Sequence, residues 1–250
     1  MEISVIIPVY NGESIIGKSV ELIRKFLESH FDSYEIVIIN DGSTDNTLAI
    51  LDSLPDRNIR ILSLKRNTGK YAALAVGMKT SRGSCRVFTD ADLPYDLEAL
   101  PYMAKLINNG QVQIVIGDRT LRESRYLVRP PLIRNMATKT FTFIIALLVT
   151  GSLFDTQCGL KGFRSDVAEA LFPLLQEKGF AGDVELLFIA LKYNLEIRRI
   201  PVRLKRKGPS TVHLFPHALG MLRRVLMLRH DWKQGCYHSE LLNQISSQAY

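Results

Sequence analysis

Two aspartates, Asp90 and Asp92, separated by one alanine, follow the apolar run Val87-Phe88-Thr89. In extended chain, residues i and i+2 face the same side, so these carboxylates converge. Paired hard oxygens suit Mg²⁺ or Mn²⁺, with water and diphosphate completing the coordination. Taken alone, Asp-x-Asp is a common loop sequence. Here three other polar segments also follow apolar runs. Tyr10-Asn11-Gly12, after the run ending in Pro8-Val9, reads by itself as a loop turn. In Asn40-Asp41-Gly42-Ser43-Thr44-Asp45, the Asp41 carboxylate suits a base edge or a ribose hydroxyl, or else an ordinary turn and helix cap. Lys65-Arg66-Asn67-Thr68-Gly69-Lys70 is either a lysine at a helix N-terminus, which suits phosphate, or a solvated basic turn. No Gly-x-Gly-x-x-Gly follows the first run and no P-loop occurs, so neither of those nucleotide-binding modes is available.

These segments need a frame that brings them together. Residues 3–8 read as a buried strand, and Ile16, Val20, Ile23 and Leu27 then recur at helical spacing. Further strands are predicted over 35–40, 59–64, 86–89 and 112–117. Helices are predicted around Leu48 and Leu51, over 71–80 and over 97–108. This alternation predicts an α/β/α sandwich around a mostly parallel, Rossmann-like sheet. Ligands of such sheets bind beyond the carboxyl ends of the strands, where all four polar segments fall. After Gly117 the pattern predicts an apolar helix over 132–149 and helices near 166–175 and 184–193. A strand ending in Ile200-Pro201-Val202-Arg203, a basic loop from Lys205 and an amphipathic helix near 215–230 follow. The reading is one domain over residues 3–212 with a C-terminal amphipathic helix and tail over 213–250.

The 250 residues include 32 Lys and Arg against 25 Asp and Glu, a net charge of +7, and 46% are hydrophobic. That composition buries a core and excludes disorder and collagen-like repeats. Cys85, Cys158 and Cys236 lie far apart without a Cys-x-x-Cys pair, which excludes a zinc ribbon and favours a reducing compartment. No signal-peptide pattern precedes Ile3, and the apolar stretch at 141–149 is shorter than the ~20 residues that span a bilayer. Residues 119–134 carry five arginines and one acid, and residues 198–207 carry six basic residues and no acid. Such clusters attract anionic lipid at about 1 kcal/mol per basic group, and the helix near 215–230 suits either an interfacial position or docking on its own domain. The expectation is a cytoplasmic protein, peripheral on the cytoplasmic face of an anionic membrane. The basic clusters lack interleaved aromatics and any nucleic-acid motif, so nucleic acid is not an expected partner.

In this order, Ile7-Pro8-Val9-Tyr10-Asn11, Asn40 to Asp45, Asn67-Thr68-Gly69-Lys70 and Asp90-Ala91-Asp92-Leu93 resemble family 2 glycosyltransferases of the GT-A fold. Among these the sequence is most similar to dolichyl- or polyprenyl-phosphate mannose and glucose synthases. The resemblance continues through Gly117-Asp118-Arg119, Asp155 to Lys161, Gly182-Asp183-Val184-Glu185 and Ile200 to Arg203, and so covers residues 3–212. It implies an inverting, metal-dependent transferase that moves a hexose from a UDP- or GDP-hexose to a polyprenyl phosphate. It places Pro8, Tyr10, Glu13 and Asp41 at the nucleotide, with Lys70 and Ala91 in the same donor site. Asp90 would face nucleotide or metal, Asp92 metal, and Gln157 the sugar. Arg119 and Arg134 would face the diphosphate or the acceptor phosphate, under a basic loop of Arg203, Lys205 and Arg206. Asp92, Arg119, Gln157 and Asp183 form the expected catalytic set. Three departures stand out: Gly12 where the family often has Glu, Pro94 where several members have a metal-binding Gln, and no C-terminal transmembrane helices.

Two rival readings share the donor motifs: transfer to a sugar or lipid-head-group hydroxyl, and a non-catalytic nucleotide-sugar-binding protein. Asp183 separates the enzyme readings. It is either an N-cap worth about 1 kcal/mol or a general base, whose contribution runs to about 10²–10⁴-fold. A phosphate monoester, with a second pKa near ~6, arrives already anionic. With such an acceptor, Asp183→Asn is expected to slow turnover less than about tenfold.

Overall fold

The computed structural model of the chain describes residues 1–54, 56–126, 151, 155–179, 181–205 and 227–247. Its strands are β1 (Ile3–Val9), β2 (Tyr34–Asn40), β3 (Ile59–Ser63), β4 (Cys85–Phe88), β5 (Ile114–Asp118), β6 (Arg125–Tyr126), β7 (Lys161–Arg164), β8 (Ile197–Pro201) and β9 (Arg203–Leu204). The main sheet runs β3-β2-β1-β4-β7-β5-β8, and β6 pairs with β9 in a small parallel ribbon. Helices α1 (Ile16–His30), α2 (Thr47–Asp52), α3 (Lys70–Thr80), α4 (Ala99–Asn108), α5 (Ser165–Leu171), α6 (Gly182–Lys192) and α7 (Glu240–Ser247) cover the two faces.

Alternation along the central strands builds both layers. Ile6, Val37, Ile39 and Phe88 turn to one face, where α3, α5, α6 and α7 supply Leu74, Leu171, Leu187 and Leu242. Val5, Ile7, Ile36, Ile38 and Val87 turn to the other, against Val20, Ile23 and Leu27 of α1 and Leu100 and Met103 of α4. Strands buried on both faces read as continuous apolar runs, which is why β1 and β2 were legible as buried strands. The α/β sandwich and its mostly parallel sheet are as expected.

β7 was not expected from the sequence. It has four residues, contains Gly162 and is bounded by Lys161 and Arg164, so it carries little β signal. It lies antiparallel between β4 and β5, pairing Phe88 with Lys161 and Ile116 with Lys161. The helix expected near 166–175 ends at Leu171 and tightens into a 3₁₀ turn over Phe172–Leu174. Pro173 has no N–H to extend the α-helical ladder.

Residues 227–247 pack on the α5–α6 face, burying Leu228, Tyr237, Leu242 and Ile245 in the same core as α3 and α6. The Tyr193 hydroxyl donates to the Tyr237 carbonyl at 2.8 Å and ties this segment down. The helix expected over 132–149, most of the one near 215–230, Arg134 and Arg206 lie outside the described residues. Among the described residues, no helix is long and apolar enough to cross a membrane.

Candidate active site

β1, β2, β3 and β4 are parallel, so Val9, Asn40, Ser63 and Phe88 end on one edge of the sheet. The reversed β7 delivers the residues before it, Asp155 to Leu160, to that same edge. Two of the loops there are laced together. The Asn11 N–H donates to Ser43 Oγ (2.9 Å), the Gly12 N–H to Thr47 Oγ1 (2.8 Å) and the Glu13 N–H to Asp45 (3.0 Å). The Glu13 carboxylate in turn accepts the Asn46 N–H at 2.9 Å. Glu13 is thus engaged in ordering the rim, while Tyr10 stands exposed above it and Pro8 is half-buried.

Asp41 is buried. Its Oδ1 accepts from the Thr68 N–H (2.8 Å) and hydroxyl (2.7 Å), and its Oδ2 from the Gly69 N–H (2.9 Å). Asp41 therefore shapes the turn that starts α3, and Oδ2 keeps a lone pair for a ligand. Gly69 caps that helix at φ +95°, and a Cβ there would meet the Lys178 carbonyl oxygen at 2.5 Å. Only glycine fits the bend.

Beneath this turn lies an ionic floor. Lys70, the first residue of α3, reaches Asp90 Oδ1 at 2.6 Å. Burial works against its charge, but Asp90 and Asp183 together raise its pKa above the ordinary lysine value. Lys161 is fully buried and donates to the Cys158 carbonyl (2.6 Å) and to Asp183 Oδ1. The ammonium groups of Lys70 and Lys161 both lie over the Phe88 ring, at 5.6 and 5.4 Å from its centroid. Tyr71 packs edge-on to Phe88, and among the described residues its buried hydroxyl has no hydrogen-bond partner at ordinary distance. Burial, and then the field of Asp183, hold its proton on.

The helix-cap reading of Asp183 is corrected here. Ala181 is the N-cap of α6, and Asp183 sits inside the first turn with its carboxylate turned to Lys161. Glu185, two residues on and on another side of the helix, accepts the Tyr237 hydroxyl (2.6 Å) and the N–H groups of Gln176 (3.1 Å) and Glu177 (2.8 Å). It thereby fixes the loop whose Lys178 carbonyl accepts the Tyr71 N–H at 3.0 Å.

Asp92 is exposed and Ala91 half-buried in a tight turn closed by the Leu93 N–H to the Asp90 carbonyl at 3.0 Å, with Leu93 at φ +47°. The next residues are pinned to β9: the Lys205 N–H donates to the Pro94 carbonyl (2.8 Å) and the Asp96 N–H to that of Arg203 (3.0 Å). Lys205 also pairs with Asp96 at 2.9 Å. The chain at Arg203 and Lys205 is thereby held against the Pro94–Asp96 segment that follows the acidic pair. Arg119, at the end of β5, is clamped by Asp155 through two side-chain bonds of 2.8 and 2.6 Å. Burial alone would lower its pKa, and Asp155 more than offsets that. Gln157 is half-buried two residues along.

The donor set fits one kind of metal. Among the described residues, no group of three or more Asp, Glu, His or Cys side chains could hold a metal ion. Asp90 and Asp92 flank a turn and not the extended chain expected, and as hard oxygens their carboxylates fit the kind of ion, Mg²⁺ or Mn²⁺, that is held by one or two carboxylates plus phosphate oxygens of a ligand.

Lys161, Asp155, Thr68 and Gly159 belong to this edge and were not singled out from the sequence. Lys161 closes the Asp155-to-Lys161 motif of the resemblance, but no local pattern in the sequence marks it as buried.

The glycosyl transferase family 2 model matches residues 4–172. A dolichyl-phosphate beta-glucosyltransferase of Dictyostelium discoideum is 32% identical over 94% of this chain and 76% of its own length. The Homo sapiens protein of that name is 27% identical, over 96% and 78%. Two solved structures share the fold. Glucosyl-3-phosphoglycerate synthase from Mycobacterium tuberculosis, in complex with Mn²⁺, UDP and glucosyl-3-phosphoglycerate, superposes with a TM-score of 0.63 at 20% identity, over 91% of this chain and 78% of its own. Mannosyl-3-phosphoglycerate synthase from Rubrobacter xylanophilus gives 0.68 at 15%, over 93% and 74%.

Proposed function

The chain belongs to glycosyl transferase family 2, and on that footing we propose that it moves a glucosyl group from a nucleoside-diphosphate glucose to a dolichyl-type polyprenyl phosphate. The observation that carries the acceptor and the sugar is the similarity, over nearly the whole chain, to proteins named dolichyl-phosphate beta-glucosyltransferase. UDP is the favoured nucleotide because it is the one held by a neighbour of the same fold. The transferase domain is residues 3–212, with 213–250 as its extension.

In the reaction, the bond from the anomeric carbon to the donor β-phosphate oxygen breaks as a bond to the acceptor phosphate oxygen forms on the opposite face. Tyr10, Pro8 and the free lone pair of Asp41 hold the nucleoside. Asp90 and Asp92 would hold Mg²⁺ or Mn²⁺, which neutralises charge on the leaving diphosphate. Gln157 faces the sugar. Arg119, kept in place by Asp155, aligns the acceptor phosphate together with Arg203 and Lys205. Alignment and fixed charge supply much of the rate. The acceptor needs no deprotonation, which agrees with an Asp183 carboxylate turned to Lys161 rather than to the open edge. The exposed Arg122, Arg125 and Arg203 favour an anionic bilayer on the cytoplasmic face as the place of reaction.

Gly159 provides a graded check. A Cβ at this position would lie 2.0 Å from Asp90 Oδ2, so a single methyl group must displace that carboxylate. Displacements of about 1 Å cost about 10²-fold in rate. Gly159→Ala is expected to lower transfer by that order, measured as steady-state rate per folded protein.

The direct test is purified protein with a divalent ion, a polyprenyl phosphate and separate labelled UDP-glucose, UDP-galactose, GDP-mannose and UDP-N-acetylglucosamine. Label is expected in the organic phase from UDP-glucose. Label from GDP-mannose alone would replace the sugar in this reading, and none from any donor would remove the activity.

A further inference from the structure

The ionic floor contains two cations and two anions, Lys70 with Asp90 and Lys161 with Asp183, gathered around one aromatic ring. The pairs differ in their freedom. Lys161 is fully buried and fixed at both ends, by the Cys158 carbonyl and by Asp183. Lys70 is part-exposed, sits on the first turn of α3 and, among the described residues, bonds to Asp90. Its backbone position is set from the donor side, because Asp41 holds the Thr68 and Gly69 N–H groups that precede it. The ammonium group therefore occupies one of the two carboxylates expected to receive a divalent ion. It does so from the residue adjacent to the turn expected to receive a nucleotide.

From this geometry we propose that Lys70 is a resident counter-cation of Asp90 that keeps divalent metal off the acidic pair until a nucleoside diphosphate supplies the lysine with another anion. The inference rests on the donor-site reading above and deepens it: donor and metal load together, and Lys70 moves from carboxylate to diphosphate. A monovalent charge beside a doubly charged ion acts strongly at these separations, since unit charges ~4 Å apart interact by several kcal/mol at a protein surface. The new anion is what makes the exchange balanced. With no diphosphate, displacing Lys70 would leave a part-buried ammonium group without its hydrogen-bonded partner.

The test reads metal binding and not transfer. Mn²⁺ affinity is measured by electron paramagnetic resonance for wild type, Lys70→Met, Lys70→Gln and Lys70→Arg, each with and without UDP. In the wild type, UDP is expected to tighten Mn²⁺ by at least about tenfold. Both neutral variants are expected to bind Mn²⁺ without UDP at least about tenfold more tightly than wild type, while Lys70→Arg stays at the wild-type level. Neutral variants that bind Mn²⁺ alone no better than wild type would overturn the proposal, as would equal tightening in Lys70→Arg. Absence of Mn²⁺ binding in every protein would also overturn it. If sugar transfer to lipid phosphate persisted in that case, the glycosyltransfer reading would stand without it.

Discussion

Asp183→Asn is expected to lower the unfolding free energy by about 3–5 kcal/mol, because it leaves the ammonium group of Lys161 buried without its counter-charge. For a chain of this size that corresponds to a fall of roughly 6–20 °C in melting temperature. Lys161 is wholly inaccessible, and its other bond is to a single carbonyl oxygen, so no water can take over from Asp183. The charge-free pair Lys161→Met with Asp183→Leu is expected to recover most of the loss, since removing both ions removes both desolvation penalties. Urea unfolding of the three proteins checks this. Per folded molecule, Asp183→Asn is still expected to transfer within about tenfold of wild type, since a phosphate acceptor forfeits no general base. An unchanged melting temperature in Asp183→Asn would show that the buried pair contributes nothing. A thousandfold loss of rate without loss of stability would make Asp183 a base and move the acceptor to a hydroxyl.

The opposite pattern is expected at Asp92. This side chain is exposed at a tight turn, so Asp92→Ala is expected to change stability by no more than about 0.5 kcal/mol. In the proposed reaction its carboxylate is a metal ligand, and loss of charge stabilisation at a leaving group costs about 10²–10³-fold. Transfer by Asp92→Ala is expected to fall by at least about 10³-fold, with Mn²⁺ binding in the presence of UDP lost in parallel. Steady-state rates and melting curves on the same preparation separate the two effects. Near-normal transfer by Asp92→Ala would remove the acidic pair from the mechanism. Together the two variants are expected to divide this edge into a buried pair that holds the fold and an exposed carboxylate that serves the proposed reaction.

The parts of this arrangement that were legible in the sequence are those written in contiguous residues. Ile3 to Val9 and Tyr34 to Asn40 are buried on both faces, so their apolar runs stood out. Asp41 and Asp90 each follow such a run directly, Lys70 lies a short polar turn beyond β3, and parallel pairing then carries all three to one edge. The parts that were not legible depend on strand order and direction. Nothing in Lys161 to Arg164 announces an antiparallel strand between β4 and β5. Without that strand, neither the approach of Gly159 to Asp90 nor the pairing of Lys161 with Asp183 follows. Asp183 shows the same limit: a helix-opening acid suggests a cap, and only the tertiary position of Lys161 turns it inward. Glu13 and Asp41 read as ligand-facing acids, yet both first serve their own loops, because backbone N–H groups at the strand ends need acceptors.

The identity of the new bond tests the central proposal most directly. Wild-type protein is incubated with UDP-glucose labelled with ¹³C at the anomeric carbon, a divalent ion and a polyprenyl phosphate, and the lipid product is examined by ³¹P nuclear magnetic resonance. The expected result is conversion of the lipid phosphomonoester signal to a phosphodiester coupled to the labelled carbon, with UDP released in equal amount. A phosphomonoester signal that stays unchanged while the labelled sugar appears on a hydroxyl would contradict it.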